Sequence, residues 1–295
     1  MSASRAYRLN TTESLPEGVG RVARGRIDHA IDELRGKTDS TAEQAVHEAR
    51  KDLKKLRALL RLARGELGES SFARENTCFR DAGRELAAAR DSDVMLDTLK
   101  ALDLPAALGR DLRKAIQAHR TRDGDGRRAA AAGVVAMLRE AHGRVDDWPL
   151  ERNSFAALRD GLRRTYRRGR RDFKAVQANP SAEGLHEWRK RVKELWYHHT
   201  LLRPLWPPVM QAVGDEAHEL ADRLGDDHDL VMLAAWIREN TDAEPEFYEA
   251  VDRRRAELQA EAMILGARLY ADKPSSYVRR LRRLWDATPT FVRAP

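Results

Sequence analysis

The chain has 295 residues, a formal net charge of +7 from 54 Lys and Arg against 47 Asp and Glu, 34% charged residues and only 6% aromatic ones. That length supplies a sizeable core, and the charged, aromatic-poor composition favours a helical soluble protein. One cysteine, Cys78, excludes an intrachain disulfide, and the apolar stretches 129–138 and 230–237 are too short to span a bilayer.

Residues 1–18 are polar, with Pro16 and Gly18, and read as a flexible N-terminal arm leading into a first helix over 19–34. Thr38 to Thr41 offers cap residues before the stretch that organises the chain, AVHEARKDLKKLRALLRLAR, residues 45–64. Its apolar residues Val46, Ala49, Leu53, Leu56, Leu60, Ala63 and Leu67 recur alternately three and four apart, which draws one packing seam down a helix. One residue further on runs a second stripe of His47, Arg50, Lys54, Arg57, Arg61 and Arg64, with no acid among them. A step of one residue is about 100°, so the basic stripe lies beside the seam, and at about 1.5 Å per residue it spans roughly 25 Å. This helix closes around Gly65 to Gly68, and a third runs over 71–89 with Arg90 and Asp91 near its end. Helical pattern continues to Leu102, stops by Pro105, and resumes over 106–122 and 127–142. The intervening DGDG, Asp123 to Gly126, lacks the ligands that follow in a calcium loop and reads as a turn, so no metal site is expected there.

Gly143 to Asn153 divides the chain. The second half opens with a helix over 154–176 whose Arg163, Tyr166, Arg167, Arg170 and Arg171 form a basic face. Asn179, Pro180 and Ser181 then break and cap the chain ahead of GLHEWRKRVKELWYHHTLLR, residues 184–203. This stretch aligns with 45–64 at an offset of 139, pairing His47 with His186, Arg50 with Arg189, Lys51 with Lys190 and Lys54 with Lys193. The seam returns as Leu185, Trp188, Val192, Leu195, His199 and Leu202, and four of the six stripe positions stay basic. Arg24 pairs with Arg163 upstream; downstream, LAAARD at 86–91 pairs with LGDDHD at 224–229, setting Arg90 against His228. Pro204, Pro207 and Pro208 end the repeated helix, and further helices follow over 209–224, from LGDDHD to Asn240, over 244–270 and over 274–285. The expected fold is all-α, with two pseudo-symmetric helical bundles from an internal duplication, 19–145 and 152–286, forming one domain.

A helix carrying HxxRxxxKxLR, an LxxxRD segment some forty residues later, and a repeat of the pair resemble the CHAD family, the conserved histidine α-helical domain. The resemblance covers Val19 to about Trp285. It implies that basic residues and histidines of both halves face a shared central groove, and that the ligand is inorganic polyphosphate, bound without being processed. The second half departs from the pattern at Trp196, which stands where the first half has Arg57, and at His228, which stands for Arg90.

Charge placement independently points to a polyanion. Residues 44–64 carry seven Lys and Arg against two acids, and 159–174 carry eight against two, so these segments exceed the whole chain's +7 and the remainder is net acidic. The residues expected to hold the anion are Arg24, His47, Arg50, Lys51, Lys54, Arg57, Arg61 and Arg90 from the first half. From the second half they are Arg163, Arg167, Arg170, His186, Arg189, Lys190, Lys193 and His228. The histidines predict tighter binding at pH 6 than at pH 8.

Two other functions compete. A nucleic-acid-binding helical module fits the charge, although the first stripe lacks the aromatics on which bases stack, leaving weak non-specific binding as the expectation. A metal-dependent HD-type phosphohydrolase fits the order His198, His199, His228-Asp229, although His199 falls on the packing seam and the counterpart of His228-Asp229 is Arg90-Asp91. No P-loop, GxSxG or paired-cysteine motif occurs, so neither catalysis nor a cofactor is expected. With no signal peptide or membrane span in view, the expected compartment is the cytoplasm, beside polyphosphate granules.

Overall fold

The computed structural model describes residues 5–86, 91–119 and 124–288, and among these it holds eleven α-helices and no strand. Ser14 and Glu17 cap each other reciprocally, which starts α1 (Leu15–Leu34) ahead of the expected Val19 and takes Pro16 and Gly18 into its first turns. The described part of the expected arm is packed. Tyr7 and Leu9 are buried, the Tyr7 hydroxyl donates to the Lys55 carbonyl at 3.0 Å, and the Leu9 N–H donates to the Leu201 carbonyl at 3.0 Å.

A second reciprocal cap, Thr41 with Gln44, opens α2 (Ala42–Leu62). The seam residues Ala49, Leu53, Leu56, Leu60 and Ala63 are all buried, and so are Ala58, Leu59 and Leu62 on a second side of the helix. α2 therefore has neighbours on two faces: α1 and α3 (Arg64–Glu85) on one, α7 (Ala156–Ala178) and α8 (Ala182–Leu201) on the other. Each fully buried leucine contributes about 1.5–3 kcal/mol, which makes α2 the main hydrophobic anchor. α3 bends at Gly68, whose φ of 69° lies in the left-handed region, at the place where the sequence predicts a loop.

The first half continues with α4 (Asp91–Lys100), α5 (Ala106–Ala118) and α6 (Gly124–Gly143), the last packed on α1 and α3. Asp123 of the DGDG turn and Arg90 with the residues just before it lie outside the described residues. The second half continues after α8 with α9 (Pro207–Asn240), α10 (Pro245–Leu269) and α11 (Pro274–Ala287). One apolar core runs without interruption through α1, α2, α3, α6, α7, α8, the first part of α9 and α11, so both halves bury their seams together. A smaller core joins Leu99, Leu102, Leu112 and Ile116 to Leu230, Leu233, Ile237, Phe247, Val251 and Leu258, seating α4 and α5 on the far ends of α9 and α10.

The sequence predicts two helices separated by LGDDHD, whereas α9 runs through that segment unbroken. Tertiary contacts hold it. Gly225 lies under the Arg189 guanidinium, where a Cβ would sit 2.5 Å from Nη2, and buried Asp227 accepts from Arg255 Nε at 3.0 Å and Gln259 Nε2 at 2.7 Å.

α7 crosses the end of α2 so closely that a Cβ on Gly161 would collide with the Leu62 backbone. Gly161→Ala is expected to destabilise the fold by about 1–3 kcal/mol, the usual cost of overpacking. Gly65→Ala, in a helical position with nothing within 4 Å of the added methyl, should be neutral or slightly stabilising. Urea unfolding of both variants checks the crossing; equal midpoints would contradict it.

Candidate anion-binding site

The open strip of α2 is its basic stripe. His47, Arg50, Arg57, Arg61 and Arg64 are half-buried and Lys54 is exposed, as expected for a stripe set beside a buried seam. At its C-terminal end the stripe meets arginines from three other helices. Arg57 Nε donates to Asn76 Oδ1 of α3 at 3.2 Å, and Arg80 and Arg84 of α3 act on its charge. Arg61 Nη1 lies 3.2 Å from Glu194 of α8, and the Arg61 carbonyl accepts from Arg164 of α7 at 3.4 Å. Arg191 Nη1 lies 2.8 Å from the same Glu194, and Arg168 of α7 sits among Arg61, Arg191 and Glu194.

Glu194 thus stands among arginines of α2, α7 and α8, in a belt that α3 extends through Arg80 and Arg84, both paired with Asp81 at 2.8 and 3.5 Å. Burial first, and then the neighbouring Arg61, push Arg57 down to about 10; burial likewise lowers Arg61, Arg164 and Arg168, with adjacent arginines adding to it. All of these groups remain charged at neutral pH. They are held cationic in a place that disfavours cations, which is the electrostatic condition for an anion site.

The belt overlaps only partly with the residues expected from sequence. Arg57 and Arg61 belong to it. Arg164, Arg168, Arg191, Arg80 and Arg84 were not expected, whereas Arg163 and Arg167 are exposed on the other flank of α7, and Arg170 Nε donates to the Tyr270 carbonyl at 3.1 Å. The buried seam of α7 (Leu158, Leu162, Thr165, Gly169, Phe173, Val176) has arginines along both flanks, so periodicity alone leaves open which flank meets α2. Arg24 pairs with Asp146 at 2.6 Å, Lys51 with Glu48 at 2.9 Å, and Arg64 with Glu69 at 2.7 Å while its guanidinium covers the Phe72 ring. Lys193 is half-buried on α8, and Arg90 lies outside the described residues.

The remaining second-half residues gather elsewhere, between α8 and α9. The His186 and His228 rings stack with centroids 4.4 Å apart, Lys190 pairs with Glu187 at 2.5 Å, and Arg189 Nε donates to the Ala221 carbonyl at 3.3 Å. Burial, followed by His228, Lys190 and Arg189, pushes His186 down to about 4. His186 is therefore neutral at both pH 6 and pH 8, and the expected gain of affinity at pH 6 does not come from it.

The histidines of the hydrolase reading are likewise placed. His198 is buried with Nε2 3.0 Å from the Ala58 carbonyl, on the contact between α8 and α2, and His199 is buried with Nε2 3.1 Å from the Tyr277 hydroxyl. His228 faces His186 instead. Among the described residues no group of three His, Cys, Asp or Glu side chains is arranged to hold a metal ion.

Burial pushes His198 down to about 4 and His199 down to about 3. An unfolded chain protonates its histidines near ~6.5, so as pH falls below that value the unfolded state takes up protons first. Stability should be full above pH ~6.5 and should fall from there towards pH ~4, at up to about 1.4 kcal/mol per pH unit for each histidine. Urea midpoints at pH 7 and pH 5 measure this; equal midpoints would show that neither histidine is buried neutral.

Comparison with curated proteins gives no match. Among solved structures, the crystal structure of the CHAD domain from the plant Ricinus communis is similar with a TM-score of 0.62 and 20% sequence identity, over 94% of each chain. At that identity the likeness speaks for the fold alone. The CHAD domain family model matches residues 21–238, which takes in both basic helices and most of α9. By that match over most of its length, the chain belongs to the CHAD domain family.

Proposed function

We propose that this protein binds inorganic polyphosphate, without turning it over, along the arginine belt where α2, α3, α7 and α8 meet. The observation that carries the reading is a buried acid, Glu194, set among arginines from three helices, α2, α7 and α8. So much like charge in one place costs stability by self-repulsion until an anion offsets it. Guanidinium forks match phosphate oxygens in pairs, and a ligand with a charge on every unit can serve several arginines at once. The two stretches related by an offset of 139 read as copies from an internal duplication, and α2 and α8 then flank one groove. The HxxRxxxKxLR and LxxxRD patterns support the same ligand through the family. Residence in the cytoplasm beside polyphosphate granules belongs to the same proposal.

Nucleic acid is the weaker reading. Trp196, the aromatic on the second stripe, is half-buried, stacked on Tyr197 at 4.8 Å and against His218 at 3.9 Å, so it is already occupied in packing and not poised to receive a base.

Competition at physiological salt between long-chain polyphosphate and single-stranded or duplex DNA tests the proposal, because low salt makes any basic surface bind any polyanion. Polyphosphate should win by about tenfold or more, equivalent to about 1.4 kcal/mol. The double variant Arg57→Glu plus Arg168→Glu should lose that advantage. Equal competition by DNA, with the double variant unchanged, would reduce the belt to a generic basic surface.

A further inference from the structure

Glu194 is out of keeping with its surroundings. At the offset of 139 it stands where the first stretch has Lys55, so an acid replaces a base at the middle of the belt. It is 6% exposed, and its carboxylate makes close pairs with Arg61 at 3.2 Å and Arg191 at 2.8 Å while Arg57 and Arg168 lie within reach of its charge. The next acid along, Asp172, is held by Arg171 at 2.7 Å and Arg191 at 3.7 Å.

We infer that Glu194 is a resident counter-anion that determines ligand class, making the belt select a long phosphate chain over single or short phosphates. The inference rests on the polyphosphate reading above. A carboxylate tethered to the site competes as an intramolecular ligand, at an effective concentration of about millimolar or higher. A small phosphate that settles at the centre must displace it, and gains only the two or three arginines that Glu194 releases. A long chain also reaches arginines that Glu194 does not pair with: Arg164 of α7, and Arg80 and Arg84 of α3, which share Asp81 at 2.8 and 3.5 Å. Those added contacts offset the displacement. The same carboxylate keeps Arg61 and Arg191 oriented and partly neutralised while no ligand is bound, which makes the cationic centre tolerable in the folded protein.

The test measures affinity for tripolyphosphate and for long-chain polyphosphate at physiological salt, in the wild-type protein and in Glu194→Gln, which keeps the side chain's size and removes its charge. Tripolyphosphate should tighten by about tenfold in the variant and the long chain by about threefold or less, so the preference for length narrows. Without ligand the variant should melt at a lower temperature than wild type, and tripolyphosphate should restore its melting temperature by more than it raises that of wild type. Equal tightening for both ligands would overturn the inference, because removal of one negative charge would then act only as general electrostatics. A lower melting temperature with unchanged affinities would overturn it too, leaving Glu194 as a structural ion pair. Should Glu194→Gln fail to fold, Glu194→Asp draws the carboxylate back from Arg61 and should narrow the preference by a smaller factor; no change there counts against the idea. Arg57→Glu plus Arg168→Glu serves as the belt control. If that variant holds the long chain as tightly as wild type, the polyphosphate site itself is misplaced, a failure separate from that of Glu194.

Discussion

The fold depends on α2 being buried on two sides. A helix with one apolar seam would lie on the surface and turn its charges to water. α2 has Leu53, Leu56 and Leu60 packed on one side and Ala58, Leu59 and Leu62 on another. The remaining strip is narrow, and its basic residues are confined to the margins where α3, α7 and α8 approach. The arginine belt follows from that confinement. Side chains that would spread over an open helix face are gathered into one junction, where burial and mutual repulsion disfavour their charge.

The contact between α2 and α8 carries both apolar and ionic terms. His198 meets the Ala58 carbonyl at 3.0 Å, Gly161 of α7 lets the crossing close over Leu62, and Arg61 reaches Glu194 at the rim. Equivalent positions in the two stretches show opposite charge arrangements. In the first, buried Asp52 pairs with Arg26 at 3.1 Å and lies 3.6 Å from Lys55. At the same offsets in the second, Arg191 and Glu194 take the places of Asp52 and Lys55. Each arrangement satisfies its buried charges with a partner from the preceding helix, α1 in one case and α7 in the other, through Arg26 and Asp172. A buried ion broken on one side leaves its partner unpaired at a cost of several kcal/mol, so these pairs fix how the helices dock.

Much of the architecture was legible in the chain because helical period and caps are local. The seam Ala49, Leu53, Leu56, Leu60 and the seam Leu185, Trp188, Val192, Leu195 are buried as their spacing predicts, and Pro245 and Pro274 lie in the first turns of helices. Two local readings went astray for opposite reasons. The Ser14–Glu17 cap was present in the sequence, but Pro16 and Gly18 weighed as breakers although the first turn of a helix tolerates both. LGDDHD has the composition of a turn, and only the Arg189 guanidinium over Gly225 and the clamp of Arg255 and Gln259 on Asp227 keep it helical.

The sequence by itself determined an all-α chain, its two related basic helices, and the rule that their cationic stripes run beside buried seams. Only the tertiary structure decided which cations share a site. On α7 both flanks of the seam carry arginine, and a periodic pattern specifies a face without specifying its neighbour. Docking against α2 selects Arg164 and Arg168, leaves Arg163 and Arg167 exposed, and sets Glu194 among the arginines. It also turns His198 and His199 into packed core groups. Position along a helix is a local property of the chain, whereas the field at a side chain sums over every helix that packs around it.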